Sequence, residues 1–213
     1  MAYVHGRTCK TNQEPKMKSY QVVRDFEEAV ASYSSSPFAI AVDSCTNALF
    51  LCCKYLKVSK VTLPSRTYVS VPCSVIHAGG YVEWKDYDWR PERSYLLDPY
   101  PIRDSAHRFE KGMFNGGFHC ISFSANKAVN IGKGGMILTD DPDAVAWFKK
   151  ARYCGRNELP LNEDSFDMLG WNMYMTPEQA ARGLILMQFV ADRFTSEIQK
   201  FPDLSTFDFY KNF

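Results

Sequence analysis

The sequence predicts an α/β fold of three layers, in which a mostly parallel sheet is flanked by helices. Short apolar runs of strand length alternate with amphipathic segments of helical period along most of the 213 residues. Strands that alternate with helices at this spacing imply a mostly parallel sheet that is covered by helices on both faces. Apolar residues make up 46% of the chain and aromatic residues 15%, which is enough for a substantial core.

The predicted elements begin at about Tyr20, where Phe26, Ala29, Val30 and Tyr33 recur at helical spacing. The strand "PFAIAV" follows, and then "DSCTNALFLCCKYLKV", whose polar start and apolar face predict a capped helix. The order of strand and helix then repeats in "KVTLP", "SRTYVSVPCSVIHAGG" and "YVEW".

The second half of the chain continues the alternation. Strands are predicted at "HCISFS" and "GGMILTD", and a helix from about Pro142 to Tyr153. A long helix is predicted from about Thr176 to Lys200, opened by "TPEQ". A parallel arrangement of these strands would place the loops that follow them at one edge of the sheet, where ligands of such folds bind.

Charge and composition argue against several kinds of partner. The 25 basic and 24 acidic residues leave a formal net charge of +1, so there is no global field for nucleic acid. The polar start and the lack of a long apolar run predict a cytoplasmic protein with no membrane partner. Seven scattered cysteines indicate reduced thiols. Cys52, Cys53, Cys73 and His77 lack paired metal-ligand spacing, so core packing is favoured over a metal site.

Polar residues follow the first two predicted strands. Ser44, Cys45 and Thr46 stand at a helix start, where backbone N–H groups and the helix dipole favour an anion. An ordinary N-cap is the alternative for this group. Tyr68 follows the second strand, where it could stack on a flat ligand or belong to the core.

Two later loops add ionisable groups. Asp104 and His107 lie in "IRDSAHRF", which could also be a surface turn, and Ser122 and Lys127 lie in "SFSANKAVNIGKGGM". Lys127 alone could be a solvated loop residue, a phosphate clamp or a covalent anchor. An anion site, an aromatic plate, a carboxylate, a hydroxyl and one amine together form the set that holds pyridoxal 5′-phosphate. We therefore predict this cofactor, with Lys127 as its covalent anchor.

The segments and their order resemble the DegT/DnrJ/StrS sugar aminotransferases, which are fold type I pyridoxal phosphate enzymes. The resemblance extends from about Val22 to Lys200. It rests on five motifs in one order: "FAIAVDSCTNAL", "VTLPSRTYVSVPCSVIHAGGYVEWKDYD", "IRDSAHRF", "ISFSANKAVNIGKGGMILTDD" and "GWNMYMTPEQAARGLILMQ".

The resemblance implies a role for each matched residue. Lys127 would form the Schiff base and Asp104 would hold the pyridinium nitrogen. Tyr68 would stack on the ring, and His107 would lie over the ring or against its phenolic oxygen. The catalytic residues would thus be Lys127, Asp104 and His107.

The resemblance also implies which residues bind the cofactor phosphate. Its ligands would be Ser44, Cys45, Thr46 and Ser122, and Asn172 would reach the phosphate of the neighbouring subunit. The active site would therefore be shared within a homodimer.

The resemblance further implies the reaction. Lysine at position 127, where related dehydratases have histidine, favours transfer of an amino group from glutamate or glutamine to a nucleotide-linked keto-sugar. A pyridoxal phosphate enzyme with a non-sugar substrate, and a non-catalytic module that binds the cofactor or a sugar nucleotide, are the alternatives. A dinucleotide-binding domain is disfavoured because no G-x-G-x-x-G follows the first strand.

Three features depart from the usual family pattern. The first is length: a truncated member is expected, without most of the C-terminal small domain that family members usually have. The expected domains are an N-terminal arm (1–20), a cofactor-binding α/β domain (21–200) and a short C-terminal tail (201–213). The stretch from Asp88 to Asp104 has room only for one short strand and a turn. Cys45 replaces a usual glycine, where its side chain could crowd a phosphate, and Tyr174 replaces a usual basic residue.

Overall fold

A computed structural model describes residues 20–192 and 197–212 of the chain. The predicted arm lies outside the described residues except for Tyr20. The helices are α1 (Gln21–Ser34), α2 (Cys45–Tyr55), α3 (Ser70–His77), α4 (Pro142–Ala151) and α5 (Pro177–Met187). The strands are β1 (Phe38–Val42), β2 (Lys60–Pro64), β3 (Tyr81–Lys85), β4 (Tyr95–Leu96), β5 (Ile102–Asp104), β6 (Phe118–Ser122) and β7 (Gly135–Thr139). Short 3₁₀ turns occupy Leu161–Glu163, Leu204–Thr206 and Asp208–Asn212.

The strands form a mixed sheet in which most strands run in one direction. Five strands pair in the order β1-β7-β6-β5-β4, and β2 pairs with β3 in a second ladder. The β2–β3 and β5–β6 pairs are parallel, whereas β7 is antiparallel to both neighbours and β4 is antiparallel to β5. An antiparallel bridge between Thr62 and Asp98 joins the two ladders. By these pairings, β1, β2, β3, β5 and β6 share one direction, which confirms the predicted α/β class.

Helices cover both faces of this sheet. Successive side chains on a strand point to opposite faces, so one strand can contribute to a core cluster on each side. On β1, Ile40 and Val42 belong to a core cluster with α2, α3 and α4. Ala39 and Ala41 belong to a second cluster with α1 and α5. All four are buried, so the three-layer arrangement follows directly from the apolar strand text.

Side chains with hydrogen-bonding oxygens fix the starts of three helices. Ser44 caps α2 by accepting a hydrogen bond from the N–H of Asn47, and Asp141 caps α4 in the same way. Thr176 and Gln179 form a reciprocal capping box at α5, as "TPEQ" predicts. Among the helices of residues 20–192 and 197–212, none is both long and apolar enough to cross a bilayer.

The prediction of a helix from Thr176 to Lys200 is wrong in its second half. Helix α5 ends at Met187, and residues 197–200 are not helical. The carbonyl of Ala191 accepts a hydrogen bond from the Tyr33 hydroxyl at 2.7 Å, and the carbonyl of Asp192 accepts one from the N–H of Lys111 at 3.3 Å. These contacts hold the chain beside the end of α1 on a path that cannot continue the helix.

A buried ion pair covers the outer edge of β1, which pairs with β7 on its other side. Glu27 and Arg152 are only 6% and 4% exposed, and their side chains form a salt bridge. The Glu27 carboxylate accepts from the N–H of Ala41 at 2.8 Å, and the Arg152 guanidinium donates to the Ala41 carbonyl at 2.6 Å. Both outward backbone groups of this edge residue are therefore satisfied by side chains.

Candidate active site

A cavity of about 540 Å³ opens at the edge of the sheet where β1, β2, β5 and β6 end. Many of the residues that line it come from the strand ends, the loops and the helix starts that follow these strands. Among them are eight of the nine predicted site residues: Ser44, Cys45, Thr46, Tyr68, Asp104, His107, Ser122 and Lys127. The exception is Asn172, which is exposed and forms an isolated bridge with Tyr153 instead.

The N-terminus of α2 forms one wall of the cavity. Ser44 has an extended backbone and caps the helix, and the carbonyl end of Ser44 packs tightly against the start of β7. A Cβ on Gly135 would lie 2.4 Å from the backbone carbonyl carbon of Ser44, so only glycine fits there. This close packing fixes the direction in which the N–H groups of the helix start point.

The start of α3 lies beside the start of α2. The Thr46 hydroxyl donates to the Ser70 hydroxyl at 2.8 Å, and the Ser74 hydroxyl donates to the Thr46 carbonyl at 3.0 Å. Thr46 and Ser70 both line the cavity. Two helix N-termini thus bring their dipoles and hydroxyls to one place, which suits a phosphate group.

The Cys45 side chain does not crowd this anion site. It is 9% exposed, and its thiol lies 3.4 Å from the carbonyl of Cys120 on β6. Burial raises the pKa of the Cys45 thiol, and the nearby Asp104 carboxylate raises it further. The thiol is therefore a neutral packing group against the sheet, and the helix start remains open to an anion.

Asp104 provides a buried carboxylate at the end of β5. It is 7% exposed and accepts hydrogen bonds from the Tyr95 hydroxyl at 2.8 Å and from the N–H of Ala106 at 2.9 Å. Burial raises the pKa of this carboxyl, whereas the two hydrogen bonds and the nearby Lys127 amine oppose the rise. The carboxylate is thus held in one orientation by donors from two different segments.

Lys127 and His107 meet inside the cavity. The Nζ of Lys127 lies 2.9 Å from Nε2 and 3.4 Å from Nδ1 of the His107 ring. Burial lowers the pKa of the lysine, and the Arg93 charge lowers it too, while the Asp104 carboxylate works against this change. Burial, together with the Lys127 and Arg93 charges, lowers the pKa of His107 to about 4. The imidazole is therefore neutral at pH 7 and can accept a hydrogen bond from the amine.

Helix α5 holds the loop that carries Lys127. The Arg182 guanidinium donates to the carbonyl of Asn130, and the Gln179 side chain donates to the carbonyl of Lys133. Gly132 has a φ of +90° at the turn back toward β7, a conformation that favours glycine. The loop is therefore fixed on both sides of its turn, and the amine is presented to the cavity from a supported position.

Tyr68 and Ser122 complete the predicted set. Tyr68 is 55% exposed at the mouth of the cavity, so its ring is not part of the core. Ser122 is 8% exposed at the end of β6, and its hydroxyl donates to the Ser124 hydroxyl at 3.2 Å. The first offers an aromatic face and the second a hydroxyl, as the sequence predicts.

The sequence reasoning missed three residues that shape the site. The Thr67 and Tyr95 hydroxyls are hydrogen bonded to each other, and this pair supports Asp104. Trp89 is 5% exposed, lines the cavity and lies 6.0 Å from the His107 ring, measured between centroids. Thr67 lies within a motif already recognised, but the antiparallel register that places Tyr95 opposite Asp104 has no signal in the sequence.

The cavity fits pyridoxal phosphate in its size and in its donor set. Its volume is within the usual range of small-molecule sites, about 300–1,000 Å³. A pair of helix starts suits the phosphate, the buried carboxylate suits a protonated ring nitrogen, and the amine suits an aldehyde. Each part of the cofactor thus has a matching group in the cavity.

These features define an α/β protein with a cavity of the pyridoxal phosphate type. The sequence profile of the DegT/DnrJ/EryC1/StrS aminotransferase family matches residues 7–114 and 102–202. The chain therefore belongs to this family, whose members depend on pyridoxal phosphate, and the resemblance drawn from the sequence motifs is confirmed.

Two curated relatives show how much of the family's length the chain covers. The GDP-perosamine synthase of Caulobacter vibrioides is 29% identical in an alignment 210 residues long, gaps included, that covers 78% of this chain and 56% of the relative. The spore coat polysaccharide biosynthesis protein SpsC of Bacillus subtilis is 24% identical in an alignment 249 residues long, gaps included, that covers 86% of this chain and 63% of the relative. The chain thus spans less than two thirds of the length of either.

Solved structures confirm the fold. DesI, crystallised in the presence of its TDP-sugar product, superposes with a TM-score of 0.65 at 23% identity, over 78% of this chain and 52% of DesI. PseC of Helicobacter pylori, an aminotransferase of pseudoaminic acid biosynthesis, gives a TM-score of 0.65 at 18% identity, over 79% of this chain and 57% of PseC. At these identities the likeness concerns the fold alone.

Proposed function

We propose that this chain provides the cofactor site of a pyridoxal phosphate-dependent aminotransferase that acts on nucleotide-linked keto-sugars. One observation supports the proposal most strongly. A single cavity brings together the Lys127 amine, the Asp104 carboxylate and the hydroxyls of Thr46 and Ser122, which come from three different loops.

Each group has a distinct task in the proposed reaction. The N–H groups of the α2 start, with the Thr46 and Ser122 hydroxyls, bind the phosphate, and Asp104 holds the proton on the ring nitrogen. Tyr68 packs against one face of the ring. Bound pyridoxal phosphate supplies an aldehyde that condenses with amines and a ring that withdraws electrons.

Lys127 moves the proton that amino transfer requires. Its amine anchors the cofactor between reactions and accepts or returns a proton at the substrate carbon once it is released. Burial lowers the pKa of the amine, so a larger share is neutral near pH 7 than for a surface lysine. The neutral His107, 2.9 Å away, orients the amine by accepting a hydrogen bond.

Glutamate or glutamine is the proposed amino donor, and the proposed acceptor is a keto-sugar carried on a nucleotide. The names of the relatives support the choice of a sugar acceptor, because they include a GDP-perosamine synthase and a spore coat polysaccharide biosynthesis protein.

The proposal is tested by loading the protein with pyridoxal phosphate, reducing with borohydride and mapping the modified peptide. We expect the label on Lys127, and not on the exposed lysines of the same preparation. A separate, unreduced sample of loaded protein should release one equivalent of 2-oxoglutarate per site from glutamate. A label spread over surface lysines would contradict the assignment, and a clean label without release of the keto acid would favour a binding module.

A homodimer with a shared site is part of the proposal. Asn172 is exposed and lies outside its own cavity, as expected for a side chain that serves a neighbouring subunit. In the chain segment that precedes it, Leu161, Phe166 and Leu169 have exposed side chains, and Leu169 is 91% exposed. Exposed apolar side chains are common at subunit contacts.

Mixing two inactive variants tests the shared site. Lys127→Ala lacks the anchor and Asn172→Ala lacks the residue proposed for the partner's phosphate. Refolded together, they should give more amino transfer than the sum of the separate variants, because a mixed dimer has one intact site. Activity equal to that sum would show that each cavity works with residues of its own chain only.

A further inference from the structure

Glu197, Gln199 and Phe201 line the cavity, and the segment 197–210 that carries them is anchored on both sides of Phe201. Ile198 is 8% exposed and belongs to the main core cluster, and Leu204 is 4% exposed. The N–H of Leu204 donates to the carbonyl of Ser65 at 2.8 Å. Two buried side chains and a backbone hydrogen bond therefore fix the position of the residue between them.

Two further contacts attach the same segment to the loop after β2 and to β3. Asp203 forms an ion pair with Arg66 at 3.0 Å, on the loop that also carries Tyr68. Tyr210 is 9% exposed and packs edge-on against Trp84, with ring centroids 5.7 Å apart. The segment is thus bound to the wall that holds the aromatic residue of the site.

Phe201 contacts the aromatic residues of the cavity itself. Its ring stacks on Trp89 with centroids 6.1 Å apart and planes at 24°. It meets His107 and Tyr68 edge-on, at 6.4 Å and 6.3 Å between centroids. All four residues line the cavity, so Phe201 forms part of its wall beside the histidine that binds Lys127.

The stacked rings of Phe201 and Trp89 also separate this cavity from a second one. A second cavity of about 350 Å³, bounded by Arg66, Tyr87 and Arg90, lies against the same two rings of Trp89 and Phe201. Trp89 is fixed by a hydrogen bond from its indole N–H to the Arg66 carbonyl at 2.9 Å. Loss of the Phe201 ring would therefore connect the two cavities.

We propose that Phe201 is a positioning residue that caps the cavity: with Trp89 it excludes water from the Lys127–His107 pair and limits the space open to a bound ligand. The importance of this cap for catalysis rests on the proposed function. The closure itself is a property of the cofactor-free protein and can be measured there.

The Lys127 amine that Phe201 covers in this proposal has several ionisable neighbours. The ionisable groups that face Lys127 are Asp104, Cys45, His107 and Arg93, and Lys133 and Glu197 stand at the rim of the cavity. Burial is the largest cause of the lowered pKa of Lys127. Opening the cavity at Phe201 would hydrate the amine and leave all six of these groups in place.

The test measures chemical labelling of Lys127 in cofactor-free protein as a function of pH. A small amine-reactive reagent, trinitrobenzenesulfonate, is used, and the label is quantified by peptide mass spectrometry. In Phe201→Ala we expect the limiting rate at high pH to rise several-fold. We also expect the midpoint of the pH profile to move upward, toward the ordinary lysine value, because water reaches the amine.

Phe207→Ala is the matched control, since Phe207 lies on the same segment but is 51% exposed. It should leave both the limiting rate and the midpoint at their wild-type values. A folded Phe201→Ala variant with wild-type rate and midpoint would overturn the proposal.

Phe201→Leu keeps an apolar side chain against Trp89 and decides the question where the alanine variant does not fold. An intermediate rise in rate and midpoint would support the cap, and wild-type values would overturn it. Cofactor loading enters neither readout. A failure of Lys127 to bind the cofactor would therefore contradict the proposed function without deciding this test.

Discussion

Replacing Lys127 with alanine is expected to lower the rate of amino transfer by roughly 10²–10⁴-fold and to abolish covalent attachment of the cofactor. The reason is geometric. Within the described part of the cavity the other amine, that of Lys133, is bound to Asp43 at 3.1 Å at the exposed rim, whereas the Lys127 amine lies 2.9 Å from His107. We expect no other group to take over both the anchoring and the proton transfer.

The Lys127→Arg variant distinguishes the anchoring and proton-transfer roles of Lys127 from the effect of its positive charge alone. A guanidinium keeps a positive charge in the cavity but stays protonated at any accessible pH, so it can neither anchor the cofactor nor accept a proton. The arginine variant should therefore be as slow as the alanine variant. The rate is measured as 2-oxoglutarate formed from glutamate in a single turnover of loaded protein.

Lys149→Ala is the control for both variants, because Lys149 is exposed on α4 and lies outside the residues that line the cavity. Its rate should match that of the wild type. If Lys127→Ala kept more than half of the wild-type rate, the anchoring role would be wrong, even with the cofactor still bound in the cavity.

The apolar periodicity of the sequence was enough to predict the alternating elements and their layers. The strand "FAIAV" is buried on both faces, and the helix after it starts with the cap that its polar text indicates. These features depend on local residues, so a local pattern can reveal them. The same alternation predicted that the site residues lie close together, because strands that run in one direction end at one edge of the sheet.

The features that the sequence did not reveal depend on contacts between distant residues. Tyr95 reaches Asp104 only through the register of two short antiparallel strands. Helix α5 ends at Met187 because Tyr33 and Lys111 bind the carbonyls beyond it, although the local text favours a longer helix. Phe201 lies over the cavity through anchors that no helical or strand pattern marks.

The ion pair of Glu27 and Arg152 is another feature that depends on distant residues, since the two are 125 residues apart. Together they satisfy the outward backbone groups of one residue of β1. Arg152→Ala is expected to lower the free energy of unfolding by about 3–5 kcal/mol, the usual cost of leaving a buried charge without its partner. Three losses coincide: the Glu27 carboxylate loses its counter-ion, the Ala41 carbonyl loses its donor, and a void opens beside α1. The melting temperature should fall by roughly 10 °C.

The surface pair of Arg24 and Glu158 provides a matched control for this prediction. Its atoms are 2.6 Å apart, but the side chains are 31% and 40% exposed, so water already screens the charges. Arg24→Ala should therefore cost at most about 1 kcal/mol in urea unfolding monitored by circular dichroism. An equal, small loss in both variants would mean that the edge of β1 is satisfied by water once Arg152 is removed. A large loss in Arg152→Ala alone would show that the ion pair stabilises the edge strand β1, which leads into the Ser44 turn at the start of α2.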